Sequence, residues 1–185
     1  MHQIKPCEME LKENKLNKWA KEIHDNATAH GWHEEKHSPE HWLSLIMCEV
    51  AEAIEADRKN KRCMRKEVSK YMPFDRFYFD WVKGTVEEEF ADIVIRLLDM
   101  KYEIYGDDFN WMSAYVAEPL PKHSICENAW LFTKALLVAT QSGIVVSIAF
   151  MYNWAELLGI DLDQHIEWKM KYNESRPYKH GGKKY

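Results

Sequence analysis

Two short acidic stretches, each within a helical pattern of apolar residues, constrain the fold of this chain more than any other feature of the sequence. Glu49 and Glu52 lie three residues apart in one stretch, and Glu89 and Asp92 do so in the other. Residues at i and i+3 share one face of an α-helix. Each pair borders an apolar stripe, made of Leu43, Ile46, Val50, Ala53 and Ile54 in the first stretch and Val86, Phe90, Ile93, Val94 and Leu97 in the second. If the stripes pack together, the four carboxylates meet at the edge of the seam.

Converging carboxylates repel one another, and their charges are costly in a partly dry site. A hard divalent cation with oxygen ligands removes that cost, and Mg²⁺ is the usual one. We therefore predict that Glu49, Glu52, Glu89 and Asp92 hold Mg²⁺, with Mn²⁺ as a second possible ion. The alternative interpretation is a solvated acidic face on each helix, because glutamate pairs at this spacing are common on helix surfaces.

The order and the flanks of these motifs resemble the MazG-like all-α nucleoside triphosphate pyrophosphohydrolase superfamily, in its bacterial and phage branch. That family carries ExxE on one helix and ExxD on the next, and the flanks here read LIMCEVAEAIEADR and EEEFADIVIRLLD. Residues 159–185 resemble the C-terminal end of the same branch. The resemblance implies Mg²⁺-dependent hydrolysis of an NTP or dNTP to the monophosphate and pyrophosphate, which limits aberrant or excess nucleotides. It also implies a homodimer or homotetramer.

The resemblance assigns roles to individual residues. Glu49 and Glu52 are the candidate catalytic residues, and we favour Glu49 as the base because it lies nearest the apolar stripe. Lys169, Asn173 and Arg176 fall at i, i+4 and i+7 on one predicted helix face and look like the positions of the family that contact the polyphosphate. The lysine and arginine side chains suit phosphate oxygens, arginine in a bidentate contact.

Two further candidate binding residues lie outside the helices. Lys183 belongs to the basic tail, for which a frayed end is the alternative. Trp32 lies in the region where an aromatic residue of the family can stack on the base, or else it is a loop tryptophan that closes the core.

Histidines suggest a second kind of site. His30, His33, His37 and His41 are clustered, but no cysteine lies near them at zinc-like spacing, so zinc is kept only as the alternative to a loop cluster. His24-Asp25 matches the metal dyad of HD-domain phosphohydrolases only as a dipeptide, and we expect an exposed polar pair. Asp99 is expected to pair with Arg96, with the role of a fifth oxygen ligand as the alternative.

The fold is predicted to be an all-α helical bundle forming one domain over residues 1–185. Seven glycines and six prolines suit long helices with few turns. An aromatic-rich insert over about 63–84 and an extra helical insert over about 103–155, with a short helix near Trp111, precede the C-terminal helix. The predicted helices are Glu8–His30, Pro39–Lys59, Thr85–Tyr102, Ser124–Gln141, Ile144–Leu158 and Asp161–Ser175, and two of them meet at Gly143.

Charge and cysteine content narrow the classes of function. The formal net charge of −5 argues against a general nucleic-acid binder. Four cysteines without a CxxC pair favour reduced thiols in a cytoplasmic protein. Residues 135–155 carry no charge, but polar residues interrupt the run, so we expect buried helices and no membrane span. The alternative to an enzyme is a non-catalytic helical module that keeps the family scaffold and binds a nucleotide or a partner.

Overall fold

Helices account for the regular structure of the residues that this computed structural model describes, which are 6–63, 66–107, 124–137 and 140–184. No strand occurs among them, which confirms the predicted all-α class. A 3₁₀ turn (Lys66–Lys70) and a π turn (Tyr78–Val82) flank the third helix. The helices are α1 (Pro6–Ala29), α2 (Pro39–Arg58), α3 (Phe74–Phe77), α4 (Val86–Tyr105), α5 (Ile125–Leu136), α6 (Gln141–Leu157), α7 (Leu162–Glu174) and α8 (Lys179–Gly182).

Helix α4 lies at the centre and contacts α1, α2, α6 and α7. Its predicted apolar stripe, Val86, Phe90, Ile93, Val94 and Leu97, is fully buried. Helix α2 runs antiparallel to it. The Cys63 backbone N–H, just beyond the end of α2, donates to Glu87 near the start of α4, and Glu49 contacts Arg96 further along. The two stripes therefore pack together as the sequence predicts, and Glu49 comes close to Glu89 and Asp92.

Side-chain caps set the starts of several helices. Ser38 accepts from the His41 N–H with Pro39 in the first turn of α2, and Ser124 and Glu127 form a complete capping box at the start of α5. Thr85 caps α4, and the Glu88 carboxylate accepts from the Gly84 N–H. Each cap satisfies a backbone donor that the helix leaves unpaired.

The break between the two apolar helices was predicted at Gly143 and lies a few residues earlier. Helix α5 ends at Leu136 and α6 begins at Gln141, so Gly143 belongs to the first turn of α6. The reason is a cap: the Thr140 side chain accepts from the Gly143 N–H. The helix predicted near Trp111 lies outside the described residues.

The aromatic insert packs against α7. Phe77 and Tyr78 are fully buried beside Trp168 and Tyr172, and the rings of Tyr78 and Tyr172 stack with centroids 4.3 Å apart. This small second core holds α7 at a fixed position beside α4.

In the described ranges no single helix has the length and apolar character needed to cross a membrane. One pair, Gln141–Leu157 with Leu162–Glu174, meets the requirement in combination but is bent by 113°.

Candidate functional site

Three of the four predicted carboxylates converge between α2 and α4. One oxygen each of Glu49, Glu89 and Asp92 lies within 4.8 Å of the others. Glu49 and Glu89 are buried, and Asp92 is partly buried. Glu52, the fourth predicted ligand, is exposed one turn further along α2 and lies outside this group, although it lines the same cavity. We call Glu49, Glu89 and Asp92 the acidic cluster.

The protein environment disfavours the ionised forms of two carboxyl groups in the acidic cluster. Burial, together with the charge of Asp92, raises the pKa of Glu89 to about 9. Burial also raises the pKa of Asp92 to about 6, against the opposing effect of Lys169. A raised carboxyl pKa means that the folded protein disfavours the ionised form. The cluster is therefore an environment that a cation would stabilise.

Lys169 is a buried cation between two carboxylates of α4. Its Nζ lies 2.6 Å from Glu88 Oε1 and 2.5 Å from Asp92 Oδ2. Burial alone would lower the pKa of Lys169, but the charges of Asp92 and Glu88 outweigh it and shift that pKa upward. Glu88 also accepts from the Tyr78 hydroxyl at 2.6 Å. Lys169 therefore belongs to the acidic side of the site, which its predicted place on a phosphate-binding face did not indicate.

Arg96 contacts Glu49, not Asp99 as predicted. The guanidinium lies 2.6 Å from Glu49 Oε1 through both Nε and a terminal nitrogen. Burial opposes the charge of Arg96, yet Glu49 and Asp92 raise its pKa, so it stays cationic. The contact fixes the orientation of Glu49 at the acidic cluster. Asp99, one turn on, faces histidines instead.

The acidic cluster opens into a cavity of about 1020 Å³. All five predicted binding residues line it: Trp32, Lys169, Asn173, Arg176 and Lys183. Among the described residues, the buried Oδ1 of Asn173 has no hydrogen-bond partner. Buried polar atoms are rarely left unpaired, so this atom marks a place where a bound molecule would be favoured. One wall of the cavity is anionic and the wall formed by α7 and the tail supplies cations.

The C-terminal tail closes one side of this cavity. The Lys179 N–H donates to the His30 carbonyl at 2.9 Å, and Lys179 Nζ lies 2.8 Å from Glu34. Trp32 is half-buried at this rim, with its ring 5.0 Å from that of His180 in an edge contact. Burial and the charge of Arg176 lower the pKa of His180 to about 3, so this imidazole is neutral at pH 7. The tail is thus held against the loop that carries Trp32.

A second titratable group, formed by His24, His33, Asp99 and Glu103, was not predicted. His24 is half-buried against Asp99, whereas the sequence suggested an exposed pair with Asp25. His37 and His41 stack on each other with centroids 4.0 Å apart and are not part of this group. No local spacing links His24, His33 and Asp99, because α1, the following loop and α4 meet only in the folded chain.

Comparison of the chain with models of protein families, with curated proteins and with solved structures gives no match.

Proposed function

We propose that this chain is a Mg²⁺-dependent nucleoside triphosphate pyrophosphohydrolase whose bundle is of the MazG-like type. The observation that supports the proposal most is the acidic cluster at one wall of a large cavity, with the cationic side chains of Arg176 and Lys183 also lining that cavity. A metal-bound triphosphate needs both features, because it carries about four negative charges and one divalent ion neutralises only two of them.

The residues fit a hard divalent cation. The donor set is entirely carboxylate oxygen, which suits Mg²⁺ and Mn²⁺. Burial and then the charge of Asp92 raise the pKa of Glu89, so the ionised form of this carboxyl is disfavoured and a cation would stabilise it. Glu49, Glu89 and Asp92 would hold the ion, with Glu52 close by in the same cavity. When bound, the ion supplies Lewis-acid stabilisation of charge on the phosphate oxygens.

Side chains of the protein would bind the substrate and accept a proton from the attacking water. Arg176 and Lys183 would contact phosphate oxygens, and the unpaired Oδ1 of Asn173 would accept a hydrogen bond from a hydroxyl or amino group of the substrate. Trp32 at the rim would stack on the base. Glu49, oriented by Arg96, or Glu52 on the next turn would accept a proton from the water that attacks phosphorus. The products are a nucleoside monophosphate and pyrophosphate.

One observation favours the alternative, a non-catalytic module. Lys169 already neutralises Asp92 and Glu88 in the structure, so part of the acidic cluster is compensated without a metal. In that case the carboxylates would be structural and the cavity would bind a nucleotide or a partner without cleaving it.

A panel of NTPs and dNTPs, each assayed for pyrophosphate release with Mg²⁺ and with EDTA, separates the two functions. We expect release that needs Mg²⁺ and falls at least a hundredfold in Glu49→Gln and Glu89→Gln. Glu55→Gln is the matched control, because Glu55 lies on α2 but pairs with Arg58 and Lys59 at the surface. Nucleotide binding without release for every member of the panel would favour the module.

A further inference from the structure

A group of nitrogen and oxygen donors lies where α1, the loop after it and α4 meet. Glu103 Oε2 on α4 is 3.8 Å from His24 Nε2 and 3.4 Å from His33 Nδ1. One donor atom from each of these three residues lies within 4.8 Å of the others. Tetrahedral zinc has metal–ligand distances of roughly 2.0–2.1 Å, which places neighbouring ligand atoms roughly 3.3 Å apart. The donors are therefore close to the separation that one ion requires.

Asp99 orients both imidazoles toward this point. Its Oδ1 lies 3.0 Å from His24 Nδ1 and 3.0 Å from His33 Nε2. If both of these nitrogens donate to the carboxylate, His24 Nε2 and His33 Nδ1 each carry a lone pair that faces Glu103. Metal-binding histidines in proteins show this pattern, in which the second ring nitrogen donates to a carboxylate.

Three lone-pair donors turned toward one point need a cation between them. A proton on an imidazole is one solution, and Asp99 and Glu103 do raise the pKa of His33 in spite of the opposing effect of burial. A metal ion is the other, and it would satisfy all three donors together. Imidazole and carboxylate ligands suit Zn²⁺, in contrast to the all-oxygen acidic cluster.

We propose that His24, His33 and Glu103 form a second metal site for Zn²⁺ or a similar transition-metal ion, with Asp99 orienting both imidazoles. The site is distinct in ligand chemistry from the acidic cluster and does not depend on the proposed hydrolase function. It joins α1 to α4 through the loop that also carries Trp32, so a bound ion would stiffen one rim of the cavity. The partial exposure of Glu103 leaves a route for the ion to enter.

Metal-free full-length protein titrated with Co²⁺ and Zn²⁺ tests the proposal. We expect one Co²⁺ with the strong visible bands of low-coordinate nitrogen–oxygen ligation, displaced by Zn²⁺, and a melting temperature several degrees higher with Zn²⁺. The double variant His24→Gln/His33→Gln should lose at least a hundredfold in Zn²⁺ affinity. Asp99→Asn should lose about ten- to a hundredfold, because Asp99 acts through the histidines.

Two control variants distinguish this site from the other histidines of the loop and from the acidic cluster. His37→Gln removes a histidine of the same loop that lies outside the group, and Glu49→Gln disables the acidic cluster; both should keep the Co²⁺ bands and the Zn²⁺ affinity. Should the double variant fail to fold, Glu103→Gln and X-ray absorption on the wild-type Zn²⁺ complex replace it, with two imidazole ligands expected. Absence of Zn²⁺ binding by wild type, unchanged affinity in the variants, or an all-oxygen ligand set would overturn the proposal.

Discussion

Replacement of Lys169 by methionine should destabilise the fold in a way that depends on pH. Lys169 is buried, and its ammonium lies within 2.6 Å of both Glu88 and Asp92. Methionine keeps the apolar stem and removes the charge. The change therefore leaves the buried Glu88 carboxylate and the partly buried Asp92 carboxylate without their common cation, and this situation is costly away from water.

The expected magnitude follows from what each carboxylate retains. Breaking a buried ion pair by removing one partner costs about 3–5 kcal/mol. Glu88 keeps hydrogen bonds from the Tyr78 hydroxyl and the Gly84 N–H. Asp92, whose pKa is already raised to about 6, can take up a proton and avoid an unpaired charge. Both effects limit the loss, so we expect a decrease of about 3 kcal/mol in unfolding free energy at pH 7.

The pH dependence has a definite sign. The folded pKa of Asp92 lies above its ordinary value, so folding favours the protonated form and stability falls as pH rises toward that pKa. In wild type the contribution of Asp92 to this fall ends near pH 6, and the contribution of Glu89, whose pKa is about 9, continues in wild type and variant alike. Without Lys169 the folded pKa of Asp92 rises further, and the fall continues above pH 6 by up to about 1.4 kcal/mol per pH unit.

Urea denaturation of wild type and of Lys169→Met at pH 6, 7 and 8 measures the loss of unfolding free energy and its dependence on pH. Lys171→Met is the matched control, because Lys171 is exposed on the same helix and its Nζ lies 4.2 Å from the Phe74 ring centroid. Losing that contact should cost less than about 1 kcal/mol and show no dependence on pH. A loss below about 1 kcal/mol for Lys169→Met, equal at the three pH values, would show that Lys169 is not the cation that stabilises Glu88 and Asp92.

Four further predictions concern binding, backbone and assembly. Arg176→Ala should lower kcat/KM about ten- to a hundredfold, which is the effect of losing one charge-assisted phosphate contact. Its Mg²⁺ affinity should be unchanged, and an equal loss of Mg²⁺ affinity in calorimetry would contradict this prediction. Mg²⁺ affinity should rise with pH by up to tenfold per unit and level off above about pH 9, because the ion displaces a proton from Glu89. Calorimetry on Glu89→Gln should show a flatter dependence of Mg²⁺ affinity on pH. Gly31→Ala should lower the melting temperature more than Gly159→Ala. Both positions have positive φ, but only a Cβ at Gly31 meets the Tyr178 ring. Equal shifts in melting temperature would count against that contact. The chain should form a homodimer or homotetramer, and Trp130→Asp, which alters an exposed residue of α5, should shift it toward monomer in light scattering; a monomeric wild type at micromolar concentration would reject this.

The spacing of apolar and capping residues was sufficient to predict the longer helices and one part of the site, the convergence of Glu49, Glu89 and Asp92. The apolar stripe of α4 and the caps Ser38, Ser124 and Asp161 lie where periodicity and capping rules indicate. The approach of Glu49 to Glu89 and Asp92 also follows, because each pair borders a stripe that must be buried. A single energetic requirement, burial of both stripes against each other, determines this part of the structure.

Contacts between residues far apart in the chain were beyond the reach of such rules. Lys169 shares a helix face with Arg176, yet it turns inward because the aromatic insert and Glu88 hold α7 against α4. Asp99 faces His24 and His33 because α1 and the loop after it pack against α4, and nothing in the spacing around Asp99 specifies this. In both cases a buried charge selects its partner only after the helices have packed.

Phosphorus NMR of the reaction products distinguishes a pyrophosphohydrolase from other phosphatases. The substrate is the triphosphate that the panel identifies, incubated with Mg²⁺ and wild-type, Glu89→Gln or Glu55→Gln protein. We expect one nucleoside monophosphate and one pyrophosphate per triphosphate for wild type and Glu55→Gln, and almost no turnover for Glu89→Gln. Release of orthophosphate with a diphosphate, or equal turnover by Glu89→Gln, would contradict a pyrophosphohydrolase built on these carboxylates.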